Sequence, residues 1–262
     1  MADERDLGPS TAHAQRVAAY YDDWTDAYLV DHGHSLQAHR PRLETDLLEY
    51  LLRSIRFPEG ARALDAGCGV CGPAAYFARG AQVKIDALTV SPQQAEMARA
   101  YVASQNVSQN VEVRVGDFHQ LATLYPDAPF DVVYFLESMS HAADLRAVVD
   151  GAFQVLKPGG IIYVKDFFVR PAPNPVRRDE IAAVIRKVDR LFYVNTPSAP
   201  HLFSALWERG FLPEFVRPPQ FEIDYEVWKR FDARHGFDLF EGAESFDWSQ
   251  WLEFRFRKPS SP

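Results

Sequence analysis

Cysteine, long apolar runs and excess positive charge are all scarce in this chain of 262 residues. The cysteines are two, Cys68 and Cys71, which excludes a disulfide framework, and a structural disulfide is not expected in a reducing compartment. Their C-x-x-C spacing suits redox or zinc chemistry, but no second cysteine pair or nearby histidine pair completes a zinc site. The plainer reading is two small residues in a glycine-rich turn. No run approaches the roughly 20 apolar residues that cross a bilayer. The N-terminus, MADERDLGPS, lacks the basic start and apolar stretch of a secretory signal, so the expected address is the cytoplasm. A net charge of −8 speaks against nucleic acid as a partner, because phosphate backbones demand a dense basic face. It leaves room for a small anion held in a local basic pocket.

With 47% hydrophobic and 24% charged residues, the composition is that of a globular chain able to bury a full core. Residues 1–15 and Pro259–Pro262 read as loose. Helices are predicted over Ala14–Tyr28 and Arg40–Ser54. From Ala61 short apolar runs alternate with helical stretches, the pattern of a parallel sheet with crossover helices. The predicted strands are Ala61–Ala66, Val83–Val90, Val111–Val115, Phe130–Leu136 and Gly160–Phe168. Between them lie the predicted helices Pro73–Arg79, Pro92–Ser104 and Leu145–Leu156, and Lys157-Pro158-Gly159-Gly160 is a turn signal. After a proline-rich stretch, Val176–Leu191 reads as a basic amphipathic helix and Thr196–Gly210 as another. Phe211–Arg217 and Trp251–Arg257 read as closing strands. The expected fold is α/β, a doubly wound, Rossmann-like, mostly parallel seven-stranded sheet with helices on both faces and a helical lid. The expected divisions are an N-terminal helical lid segment (1–56), a nucleotide-binding core (57–169), an inserted lid (170–197) and the completion of the core (198–262).

The central motif is Ala63-Leu64-Asp65-Ala66-Gly67-Cys68-Gly69-Val70-Cys71-Gly72: a strand, an acid, a glycine turn and a helix. Its glycines let the backbone turn sharply and approach a ligand at the carboxyl ends of the strands. Gly67, Gly69 and Gly72 also satisfy the dinucleotide spacing G-x-G-x-x-G, so the motif alone leaves both cofactors open.

The context resembles the class I S-adenosylmethionine (SAM) methyltransferases. Ala63–Gly69 is similar to their first motif. Gly116-Asp117-Phe118, Phe130-Asp131-Val132-Val133-Tyr134 and Val155–Gly160 match later stretches in the same order. The family's ribose-gripping acid is missing: Asp86 comes too early, and Thr89 takes its place. A closer resemblance is to the sterol and prenyl diphosphate C-methyltransferases. It is carried by Tyr20-Tyr21-Asp22-Asp23-Trp24-Thr25-Asp26-Ala27-Tyr28, by Leu88-Thr89-Val90-Ser91-Pro92-Gln93-Gln94 and by Glu137-Ser138-Met139-Ser140-His141-Ala142. It extends over about residues 17–168 and fades in the lid.

This resemblance implies SAM as cofactor, held by Tyr20, Asp65, Gly67, Cys68, Gly69, Leu88, Thr89, Gln94, Asp117, Phe118 and Glu137. Methylation of an alkene leaves a carbocation that aromatic faces stabilise and a base must deprotonate. Glu137 is the expected base, with His141 orienting it or relaying the proton and Tyr21 closing over the methyl donor. Each has a plainer reading as a capping or packing residue. Substrate contacts are expected from Trp24, His34, Arg40, Phe167, Arg177 and Arg178. The arginines would grip a diphosphate, with Mg²⁺ as companion, or else form a solvated helix face. The expected activity is C-methylation of an isoprenoid alkene, a prenyl diphosphate favoured; N- or O-methylation of a small natural product, or C-methylation of a sterol-like compound, are the alternatives. A homodimer is left open. Substrate identity, chain length and regiochemistry are not legible.

Overall fold

The strand order explains where the site lies. In a computed structural model, which describes residues 9–127, 130–239 and 247–260, seven strands form one sheet in the order β3-β2-β1-β4-β5-β7-β6. The strands are β1 (Arg62–Ala66), β2 (Lys84–Thr89), β3 (Val111–Val115), β4 (Phe130–Leu136), β5 (Leu156–Val169), β6 (Leu212–Arg217) and β7 (Ser249–Arg257). Neighbours β1 to β5 pair parallel, and β7 runs antiparallel to both β5 and β6. The order reverses between β1 and β4, and open sheets of this kind bind ligands in the crevice at that switch point.

Helices α1 (Pro9–His32), α2 (Glu44–Ile55), α3 (Gly72–Gly80), α4 (Pro92–Ser104), α5 (Leu121–Leu124), α6 (Leu145–Val155), α7 (Pro175–Phe192), α8 (Ala199–Arg209) and α9 (Glu226–His235) complete the described chain. Their starts are written locally. Ser91 caps α4 by accepting from the Gln94 N–H at 2.9 Å, and Asn174 caps α7 through Arg177 N–H at 2.9 Å, each with proline next in line. Apolar clusters cover both faces of the sheet, as parallel strands require. A third cluster joins α1, α7 and α9 through Tyr20, Tyr28, Ile185, Phe192, Trp228 and Phe231.

Several boundaries differ from expectation for physical reasons. Helix α1 begins at Pro9, so residues 9–15 are helical rather than loose, while residues 1–8 lie outside the described part. Helix α2 begins at Glu44 rather than Arg40, because Pro41 interrupts the helix and residues 33–43 form a loop. The turn expected at Lys157–Gly160 is instead absorbed into β5 as an irregularity with Gly159 at φ 79°. Helix α9 went unforeseen. It falls in the segment expected to complete the core, yet packs into the lid cluster.

Strand β7 is fastened by one buried carboxylate. Glu253 accepts from Tyr50 Oη at 2.6 Å, Tyr163 Oη at 2.7 Å and Arg217 Nε at 2.5 Å. Glu253→Ala strands three donors, and an expected loss of about 2–4 kcal/mol follows. Urea unfolding checks this; an unchanged midpoint would show that the three donors find other partners.

Candidate active site

The turn after β1 is shaped by the protein's own packing. Gly67 sits at φ 105°, and a Cβ there would lie 2.3 Å from Ser138 Cβ. Ser138 in turn donates to the Ala66 carbonyl at 2.6 Å. A Cβ on Gly72 would lie 2.2 Å from the His34 carbonyl oxygen, which accepts from the Gly72 N–H. These glycines therefore admit two neighbouring segments of chain, the turn after β4 and the loop 33–43, as well as any ligand. Cys68 and Cys71 are free and buried in the same turn.

A cavity of about 530 Å³ opens at the strand ends. Of the expected cofactor residues, Gly67, Gly69, Leu88, Thr89, Gln94, Phe118 and Glu137 line it; Asp65, Cys68 and Asp117 do not, though each is next or close in sequence to one that does. Val17, Leu36, Gly116 and Ser138 line it too and were not foreseen. Tyr20 does not reach it: its hydroxyl bonds Tyr28 Oη at 2.7 Å within the lid cluster, and its neighbour Tyr21 faces the cavity instead. Consecutive helical residues point about 100° apart, so only one of the pair can face inward. Thr89 donates to Gln94 Oε1 at 2.8 Å and accepts from the Ser91 N–H at 3.2 Å. Asp86, which the sequence reading set aside, is bound by Arg62 at 2.9 and 3.0 Å.

Among the described residues, two buried carboxylate oxygens make no close hydrogen bond, Asp65 Oδ1, which has only the Tyr134 phenol near it, and Asp117 Oδ2. Burial pushes the Asp65 carboxyl up to about 7. Unpaired acceptors at this depth are costly unless a ligand supplies donors. SAM has an ammonium at one end and an exocyclic amine at the other, so the donor set fits.

A second cavity, of about 680 Å³, lies under the lid. Tyr28, Phe167, Phe192, Trp228, Trp248 and Trp251 contribute to its walls, and among the described residues no Lys or Arg does. Tyr21, Leu36, Glu137 and His141 line both cavities, so the two meet there.

At this junction Glu137 occupies the left-handed region at φ 57° and its side chain is nearly covered. Its carboxylate accepts from the Ala38 N–H at 2.6 Å, the His39 N–H at 3.2 Å and the ammonium of Lys165. Lys165 is fully buried and also donates to Gln37 Oε1 at 3.0 Å. Burial lowers the Lys165 ammonium from its usual value while Glu137 opposes that shift. Next to it, burial and the Glu137 charge push Asp166 up to about 7; its oxygens hold the N–H groups of Ser140 and Phe167.

His141 does not touch Glu137, contrary to expectation. Its Nδ1 lies 3.1 Å from the Tyr193 carbonyl and its Nε2 lies 2.9 Å from Tyr21 Oη. A carbonyl only accepts, so Nδ1 carries the hydrogen and Nε2 is the acceptor for the Tyr21 O–H. Burial lowers His141 to about 4, leaving it neutral, and burial raises the Tyr21 phenol well above its ordinary value.

Of the expected substrate contacts, Phe167 alone lines the aromatic cavity. Trp24 packs on His235 and Phe237 at 5.1 Å. His34 stacks on Tyr101 at 3.7 Å. Arg40 is buried and donates to the His32 and Ser35 carbonyls. Arg177 pairs with Glu180 and Asp247 at the surface. It stands eleven residues, about 16 Å of helix rise, from Val188, which does reach the cavity. Arg178 lines a different groove, with Val169, Pro171, Ile181 and Pro200. Among the described residues no group of three or more His, Cys, Asp or Glu could hold a metal ion, and no helix is long and apolar enough to cross a membrane.

The chain is similar in sequence and fold to known methyltransferases. Residues 64–164 match the family described as "Methyltransferase domain". The chain is 36% identical over 132 residues to a sterol 24-C-methyltransferase of Aspergillus fumigatus, a match covering 49% of this chain and 34% of that one. It is 34% identical over 170 residues to the 27-O-demethylrifamycin SV methyltransferase of Amycolatopsis mediterranei, covering 65% and 61%. The chain thus spans only about a third to three fifths of the length of these relatives. Among solved structures, the [4+2]-cyclase SpnF superposes with a TM-score of 0.78 at 20% identity, covering 94% of this chain and 96% of that one. A geranyl diphosphate methyltransferase with its substrate and sinefungin superposes at 0.75 and 19% identity, covering 95% and 100%. At these identities the likeness is one of fold.

Replacing Lys165 by Met leaves the Glu137 carboxylate buried without its cation. The expected cost is about 3–5 kcal/mol, and pairing the change with Glu137→Gln recovers part of it. Denaturant unfolding of the two variants decides; a single variant as stable as the parent would show that the pair does not hold the loop.

Proposed function

We propose that this chain is a SAM-dependent methyltransferase of the branch of the sterol and prenyl C-methyltransferases, and that it methylates an alkene carbon of an apolar isoprenoid held in the aromatic cavity. The observation that carries this reading is the meeting of the two cavities at Tyr21, Leu36, Glu137 and His141. SAM, when bound, supplies an electrophilic methyl group. The turn at Gly67 and Gly69 would hold its methionine end, Thr89 with Gln94 its ribose, and Asp117 with Phe118 its adenine.

The chain's own groups account for the rest. The alkene π pair would form the new carbon–carbon bond as the bond from the methyl group to sulfur breaks, its electron pair staying on sulfur so that S-adenosylhomocysteine leaves as a neutral thioether, and positive charge is left on the adjacent alkene carbon. Faces of Tyr28, Phe167, Trp228, Trp248 and Trp251 would each stabilise that charge by about 0.5–2 kcal/mol. Proton removal is assigned to Tyr21 and His141 rather than to Glu137, whose carboxylate already accepts from three donors. A hydrogen beside a carbocation is strongly acidic, so a neutral imidazole acting through a phenol suffices. The proton passes to Tyr21 Oη as the phenolic proton moves to His141 Nε2, and the imidazolium is held by the Tyr193 carbonyl. Glu137 keeps the loop 33–43 closed and presents negative charge to the sulfonium side. The expected prenyl diphosphate is set aside in favour of an acceptor without one, because the arginines meant to hold it stand away from the cavity.

A second reading, O-methylation, is supported by the same Tyr21–His141 pair, which could equally deprotonate a hydroxyl, and by the similarity to an enzyme named for O-methylation.

Incubation with methyl-labelled SAM and a panel of sterols, prenyl alcohols, prenyl diphosphates with Mg²⁺, and phenols distinguishes these. Label on carbon of a diphosphate-free isoprenoid is the expected result; turnover of phenols alone, or of diphosphates alone, would overturn it. His141→Ala and Tyr21→Phe should each lower kcat by about 10²–10⁴ with SAM affinity nearly unchanged. Because His141 stays neutral down to about pH 4, its acid limb should fall there as the imidazole takes up a proton, far below the ordinary 6.5. A limb near 6.5 would contradict the buried neutral imidazole.

A further inference from the structure

His119 has no part in the site assigned so far, yet its ring is bonded at both nitrogens. Its Nε2 faces the backbone N–H groups of Ala143 at 3.0 Å and Asp144 at 3.4 Å. Both can only donate, so Nε2 must be the lone-pair nitrogen and Nδ1 must carry the hydrogen. Nδ1–H donates to Asp117 Oδ1 at 2.5 Å, and the His119 backbone N–H donates to the same oxygen at 2.9 Å. The His119 side chain is 4% exposed and that of Asp117 12%. Oδ1 is thereby committed, and Oδ2 is left buried with no partner. The residues on either side, Gly116 and Phe118, line the cofactor cavity.

We propose that His119 is a positioning residue that locks Asp117 with Oδ2 as a bare acceptor and so makes the site select a 6-amino purine over a 6-oxo purine. The inference rests on the reading that adenosine lies beside Asp117. A 6-amino group presents N–H to Oδ2. A 6-oxo group presents lone pairs to it, and the buried acceptor stays unpaired. The lock is rigid because the nitrogen opposite Asp117 is held by main chain that leads into α6, where Asp144 is the capping residue. Turning the ring to its other tautomer would break the contact with Ala143 and that with Asp117 together.

Calorimetric affinities of S-adenosylhomocysteine and S-inosylhomocysteine test this in the parent, His119→Gln and His119→Phe. Glutamine can do both jobs, its carbonyl accepting from Ala143 and its amide donating to Asp117. The parent should prefer the adenosyl ligand by roughly 10- to 100-fold. His119→Gln should keep that preference within about threefold, while in His119→Phe it should shrink toward unity. A merely structural histidine would weaken both ligands alike and leave their ratio unchanged, and that outcome overturns the proposal. If His119→Phe does not fold, nitrogen NMR of labelled histidine in the parent decides: the Nδ1–H tautomer is expected, and the Nε2–H tautomer overturns it. A parent that binds neither ligand would sink the cofactor reading, and this one with it; a parent that binds both equally sinks this one alone.

Discussion

The buried pair between Glu137 and Lys165 is the constraint on which the site depends. Glu137 directly follows β4 in a left-handed conformation, and Lys165 lies fully covered on the adjacent strand β5. Two charges out of water persist only when geometry and further hydrogen bonds compensate for lost hydration. Here the compensation comes from the loop 33–43, through the N–H groups of Ala38 and His39 and the amide of Gln37. The electrostatic requirement of the pair therefore closes that loop over the strand ends. Closure places Leu36 in both cavities and brings the His34 carbonyl against Gly72.

The lid and the sheet then divide the work. The sheet supplies a polar cradle at the switch point between β1 and β4. The lid, built from α1, α7 and α9, supplies an aromatic chamber. Helix α1 is shared by both, since Tyr21 reaches the junction while Asp22 accepts from Ser91 Oγ at 2.5 Å and from the Gln93 N–H at 3.2 Å at the start of α4. A neutral imidazole and a protonated phenol are then the groups able to move a proton where the cavities meet. The fold alone does not select between alkene and hydroxyl acceptors, so on the proposed reading the lining of the aromatic cavity decides the substrate.

Much of the core was legible in the sequence because it is written in local patterns. The run from Ala63 to Gly72 specifies a strand, a tight turn and a helix. Leu88 to Gln94 carries its own cap, and Gly116 to Phe118 follows a clear strand. Lys165 and Asp166 were missed because they sit within an otherwise apolar strand, IIYVKDFF, where a charge gives no sign of its partner. The partner lies 28 residues away, on the neighbouring strand. The arginines of α7 were misread for the opposite reason. Sequence shows charge but neither depth nor distance along the helix, and Arg177 meets its surface partners instead. Tyr20 and Tyr21 illustrate the same limit, since only azimuth separates a cavity residue from a packing one.

On the proposed reading, a nucleotide cradle and an aromatic chamber adjoin at Tyr21, Glu137 and His141, which line both. A crystal structure with S-adenosylhomocysteine tests it most directly. The purine is expected between Phe118 and Leu88 and the sulfur facing Tyr21, with Glu137 still bound to Lys165. Adenosine found elsewhere, or a Glu137 side chain turned out to solvent, would contradict it.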